Sequence, residues 1–232
     1  MTRRPTLSEI SFPLDSDSQA QAQKWAQAAS TQILDWTWRG FDKLHNGVLS
    51  KIDMNQSLEQ LERDLARLHF TEINILWAQE TGGFSSLTPH HEYPELETRS
   101  RAPAKPPAYD IAFVWNDNPR IAWPIEAKVL PTPGTLADYL GDTQKFCGGT
   151  AAPFTGEGAQ IAYLRSGTPR EFFDNLRSSP LTSSLQHFQD FPKGSHGVSS
   201  HVRNSAPDLR LHHLAMSCWP DRTLLPLADF DS

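Results

Sequence analysis

Residues 107–130 run PAYDIAFVWNDNPRIAWPIEAKVL, two apolar segments joined by the turn-forming NDNP of 116–119. Asp110 stands near the start of the first segment, and Glu126 and Lys128 stand near the end of the second. A charge at the edge of an apolar strand is costly unless something pairs with it, so the three ask for a common reason. Antiparallel pairing about a turn centred between Asp117 and Asn118 sets Asp110 opposite Ile125 and beside Glu126. The two-residue period of a strand puts Glu126 and Lys128 on one face. Two carboxylates and one ammonium group are thereby expected at one end of a two-stranded ribbon.

Carboxylates this close repel, and one takes up a proton unless a cation sits between them. Mg²⁺ or Mn²⁺ answers that need, since such ions are commonly held by one or two carboxylates with waters and phosphate oxygens completing the shell. Lys128 adds a point charge within reach of a phosphate or a water. The reaction such a set suits is phosphodiester hydrolysis.

Outward from this hairpin the chain punctuates itself. Residues 18–45 carry Trp25, Ala28, Ala29, Ile33, Trp36 and Phe41 at helical spacing, and 55–69 carry Leu58, Leu61, Leu65 and Leu68 on one face. Residues 70–83 either extend that second helix or form their own, closed by Gly82 and Gly83. Prolines then forbid a long helix before 109, with a short strand around 91–97. Strands at 109–115 and 121–129 follow. Next comes a helix at 135–147 with Leu136, Leu140, Thr143 and Cys147 on one stripe, then a strand at 159–164. A short amphipathic helix begins at Arg170, 180–204 reads as irregular, and a final strand begins near 207. The expectation is a polar arm and helical extension over 1–50, and one α/β domain over 51–232.

With its fifteen intervening residues, Asp110 followed by Glu126-Ala127-Lys128 at the end of an apolar strand resembles the signature of the PD-(D/E)xK, restriction-endonuclease-like nuclease superfamily. The resemblance implies an αβββαβ core with a mixed central sheet flanked by helices. It implies Asp110, Glu126 and the Ala127 carbonyl as metal ligands, and Lys128 orienting or activating water. LERDLARL, at 61–68, is similar to the first helix of archaeal Holliday-junction resolvases and nominates Glu62 as a further ligand, with Glu59 and Glu80 as substitutes. DYLGDTQKF, at 138–146, offers Gln144 and Lys145 as substrate contacts. The implied activity is Mg²⁺- or Mn²⁺-dependent endonucleolytic cleavage, of DNA ahead of RNA, as in restriction or phage-defence effectors. A catalytically inactive binding or assembly subunit of the same fold is the alternative. Pro124 sits awkwardly, since it removes a ladder donor from a strand expected to be central.

Bulk properties set bounds. The 232 residues carry a net charge of −6, which argues against a broad basic nucleic-acid grip and favours targeting by a partner subunit. A double-strand cutter would be a homodimer. Arg99, Arg101 and Lys105 form the best local basic run for phosphate contact. No apolar stretch approaches the length of a membrane span, and MTRRPTLSEISF lacks the apolar core of a secretory signal, so the expected location is cytoplasmic. Two distant cysteines make neither a disulfide framework nor a thiolate zinc site. The histidines match no common metal-ligand spacing.

Overall fold

The first long helix, α1 (Ser16–Gly47), begins where Asp15 Oδ1 accepts the Ser18 backbone N–H at 2.8 Å. In this computed structural model, residues 10–12, 15–94, 108–187, 195–204 and 206–218 are described; Arg99, Arg101 and Lys105 lie outside them. The second helix, α2 (Leu58–Thr81), is capped by Ser57 and stops at Gly82, whose φ of +61° suits glycine. Residues 70–81 therefore extend it. The two helices meet at Gly40, where a Cβ would stand 2.8 Å from Ile73 Cγ1 and 3.2 Å from Ile73 N. Only a glycine allows that approach.

Seven strands follow: β1 (Leu87–Pro94), β2 (Ala108–Trp115), β3 (Ala122–Leu130), β4 (Glu157–Leu164), β5 (Gln186–His187), β6 (His196–His201) and β7 (Leu209–Ser217). Helix α3 (Ala137–Cys147) lies between β3 and β4, and α4 (Pro169–Arg177) follows β4. The strands form one mixed sheet in the order β1-β2-β3-β4-β7-β6-β5. β3, β4 and β7 are parallel neighbours, and the outer pairs are antiparallel. Every residue of β4 is buried, as expected of a central strand covered on both faces. The protein is thus α/β, a mixed sheet flanked by helices.

One face carries Ile111, Phe113, Trp123, Ile125, Ile161 and Tyr163 against α1 and α2, in a single cluster that includes Ile33, Leu34, Trp36 and Phe41. The expected N-terminal extension is therefore a full partner in the core. The reason lies in the upper half of α1, where apolar side chains occupy more of the circumference than one stripe. The other face carries Leu130, Ala162, Leu164 and Ala215 against α3 and α4, with Tyr139, Phe172 and Phe173 between the layers.

Two details depart from the sequence reading. The buried stripe of α3 is Tyr139, Asp142, Thr143 and Phe146, turned by about one position from the expected one, because aromatic side chains at 139 and 146 claim the sheet. Within 180–204 the structure has β5 and β6. HGVSSH hides its strand character because its inward polar groups satisfy one another: Ser199 Oγ bonds His213 Nε2 at 2.8 Å and His201 Nε2 at 2.7 Å.

Arg203 closes the end of α3. Its Nη1 donates to the carbonyls of Phe146 (3.1 Å) and Ala151 (3.2 Å), its Nη2 to Ala152 (3.1 Å), and its Nε to Pro207. A lysine cannot reproduce that planar fork. Arg203→Lys is expected to cost about 3 kcal/mol, lowering Tm by roughly 6–12 °C, in thermal melts monitored by circular dichroism. A Tm within about 2 °C of the native value would contradict a clamp role.

Candidate active site

β2 and β3 pair only as far as Ile111–Ile125, while β3 runs on to Leu130. Beyond that point the strands part, and the N–H groups of β3 on that side lose their ladder partners. Two carboxylates take them up. Asp110 Oδ2 accepts the Ala127 N–H at 2.8 Å, and Glu62 Oε2, reaching from the first turns of α2, accepts the Val129 N–H at 3.3 Å. The site exists because splayed strands leave donors that must be satisfied.

The register differs by one from the sequence expectation. Ile111 pairs with Ile125 and Val114 with Ala122, so the same ladder continued places Asp110 level with Glu126 rather than Ile125. Opposed residues of an antiparallel pair share a face, so Asp110 joins Glu126 and Lys128 on the α3 side. No bulge is needed at Pro124. The β3–β4 ladder starts at Ile125–Ala159, so the missing proline donor falls just before it. Gly158 lies alongside: a Cβ there would stand 3.0 Å from the Pro124 carbonyl and 2.7 Å from the Phe146 ring. The glycines of GEGAQ serve strand packing.

The pair behaves as crowded acids do. Each carboxyl lies within the field of the other. Burial, then the charges of Asp110 and Asp142, pushes the Glu126 carboxyl well above the usual carboxylate range. Burial also raises Asp110, against the Ala127 N–H and Lys128, which favour its ionised form.

Lys128 Nζ sits 2.7 Å from Glu62 Oε1 and 3.3 Å from Asp142 Oδ2. Burial alone would lower its ammonium, but Glu62, then Asp142 and Asp110, hold it above the ordinary lysine range. It stays charged at neutral pH. Burial raises the Glu62 carboxyl, against the pull of Lys128. A cleft of about 610 Å³ opens between α2, the end of β3 and α3, with Glu59, Glu62, Lys128, Asp138, Asp142 and Lys145 in its wall. Asp110 and Glu126 are not part of that wall, and Lys128 links them to it.

Other nominated residues fall elsewhere. Glu59 pairs with Arg63 on the cleft rim. Glu80 is at the opposite end of α2, held by Arg39 and Trp36 Nε1, and cannot substitute for Glu62. Lys145 reaches the cleft, whereas Gln144 is exposed and outside it. Asp142 was not legible as a site residue, although an acid on the buried stripe of a helix, three positions before a lysine, is an anomaly that marks it.

Among the described residues no group of three or more His, Cys, Asp or Glu side chains is arranged to hold a metal ion. Two carboxylates with the Ala127 carbonyl and waters are nonetheless a set that Mg²⁺ accepts, and the Asp110–Glu126 pair, both raised by burial, is what a cation would relieve. Glu62 is engaged by Lys128 instead of completing that set. Among the described residues no helix is long and apolar enough to cross a membrane. Comparison with protein families, curated proteins and solved structures finds no match.

Proposed function

We propose that the protein is a divalent-metal-dependent nuclease that hydrolyses DNA, with α2, β1, β2, β3, α3 and β4 as a restriction-endonuclease-like αβββαβ core. The observation that carries this reading is the Asp110–Glu126 pair, two carboxylates crowded at the mouth of parting strands with the Lys128 ammonium on the same face. Asp110, Glu126 and the Ala127 carbonyl would hold Mg²⁺ or Mn²⁺. The bound ion would polarise the phosphodiester and lower the pKa of a water beside it. Lys128, kept protonated by Glu62 and Asp142, is not the base in this scheme; it stabilises negative charge growing on phosphorus-bound oxygens. A net charge of −6 leaves targeting to a partner subunit, and a restriction or phage-defence setting suits that division. Cutting both strands would take a homodimer.

The experiment is incubation of supercoiled plasmid with Mg²⁺ or Mn²⁺ alongside Lys128→Met and Asp110→Asn. Native protein is expected to nick or linearise the plasmid, with each variant slower by about 10²–10³. Absence of cutting, together with absence of Mn²⁺ binding by calorimetry, sinks the reading. The second reading, an inactive subunit of the same fold, is favoured by one observation: Glu62 is spent on Lys128 and leaves only two carboxylates for an ion.

A further inference from the structure

Asp142 is 4% exposed on α3, yet it faces the cleft and touches two ammonium groups. Its Oδ1 lies 2.5 Å from Lys145 Nζ and its Oδ2 3.3 Å from Lys128 Nζ. Lys128 comes from the end of β3, and Lys145 from one helical turn beyond Asp142. A single buried carboxylate therefore draws cations from two different elements to one wall. Lys145 is mostly exposed, and such a side chain samples many rotamers unless something holds it. Glu62 secures the far side of Lys128 but does not touch Lys145.

We propose that Asp142 is a positioning residue that sets Lys128 and Lys145 side by side as a two-point grip for the phosphate groups of the substrate. The idea rests on the nuclease reading for the identity of that substrate, but the grip itself has a chemistry of its own: any diphosphate should engage both lysines. Asp138 supplies the control. It lines the same cleft, carries the same charge and forms no ion pair with either lysine. Removing a negative charge from a cleft strengthens anion binding through the field alone. Loss of positioning weakens it. The two effects have opposite signs.

The test uses the full chain in metal-free buffer, with inorganic pyrophosphate as probe and isotope-labelled lysine Nζ resonances as readout. In the native protein, pyrophosphate is expected to shift the Lys128 and Lys145 signals together. In Asp142→Asn the Lys145 signal broadens towards that of a free lysine while Lys128 stays held by Glu62, and affinity falls about tenfold, the loss of one charge-assisted hydrogen bond. In Asp138→Asn the signals persist and affinity holds or rises. Lys145→Gln, a surface change that the fold tolerates, also loses about tenfold, which decides the matter if Asp142→Asn fails to fold. Pyrophosphate shifting neither lysine, or Asp142→Asn binding as tightly as Asp138→Asn, overturns the proposal. A native protein that passes these tests yet neither cuts DNA nor binds Mn²⁺ would remove the nuclease reading and leave the grip standing.

Discussion

Acidification is expected to destabilise the protein steeply below about pH 4.5. Four histidines are buried and neutral. Burial lowers His69 to about 4, His212 to about 3 and His196 to about 2, and it lowers His213 well below the ordinary imidazole range. His69 is held between Tyr163 Oη at 2.8 Å and the Thr37 carbonyl at 2.7 Å, while His196 and His212 bond each other at 3.0 Å. The unfolded chain protonates these rings below about pH 6.5, whereas the fold does not, so their contribution is complete above that pH and is lost as pH falls.

Acids with raised values oppose this. Glu157, buried beside Ser30 and His212 with Arg210 at 3.8 Å, is pushed up to about 7 by burial, ahead of the opposing pull of Arg210. The fold holds its proton between the unfolded value and 7, so this contribution is complete at low pH and is lost as pH rises through 7. Glu126 acts in the same sense. Asp110 and Glu62, raised as well, add to them, so these acids offset the four histidines while the carboxyls of the unfolded chain are ionised, and the histidine contribution is lost unopposed as pH falls below about 4.5. Thermal melts from about pH 3 to 9 check this, and a Tm that holds flat between about pH 4.5 and 3 contradicts it. Glu157→Gln separates the terms: its stability relative to native shifts by up to about 3 kcal/mol in favour of the variant between pH 5 and 8.

Glu126→Gln is expected to stabilise the protein and destroy the site. Burial and the charges of Asp110 and Asp142 disfavour an ionised Glu126 in the fold. A glutamine removes the titrating group, keeps the shape and offers Asp110 an amide donor. Tm should rise by roughly 2–4 °C, the effect of about 1 kcal/mol in a chain of this size, while Mn²⁺ affinity falls more than about 100-fold and cleavage disappears. Stability given up for function is the mark of a working site. A variant less stable than native at pH 8, or one that binds Mn²⁺ unchanged, would instead make the pair a structural cluster.

The hairpin illustrates how far sequence reasoning reaches. Two apolar runs about NDNP suffice to bring Asp110 near Glu126, because a turn there folds one run back along the other. The register was not legible: Trp115 N donates to Ile121 O, closing a loop whose midpoint is Asn118, half a residue from the expected centre. That small shift changes the face on which Asp110 stands. Glu62 was legible as a motif acid, but its ion pair with Lys128 spans sixty-six positions and depends on how α2 crosses the end of the sheet.

The sequence by itself determined the order of the main helices and strands, the hairpin and the identity of the charged trio, because hydrophobic period and turn chemistry act over a few residues. Only the tertiary structure decided which face the trio shares, which acid restrains Lys128, and that α1 belongs to the core. It also decided that Asp142 ties two lysines together. Those outcomes depend on contacts between segments far apart in the chain, where the cost of stranding a buried donor or charge selects among arrangements that local pattern leaves equal.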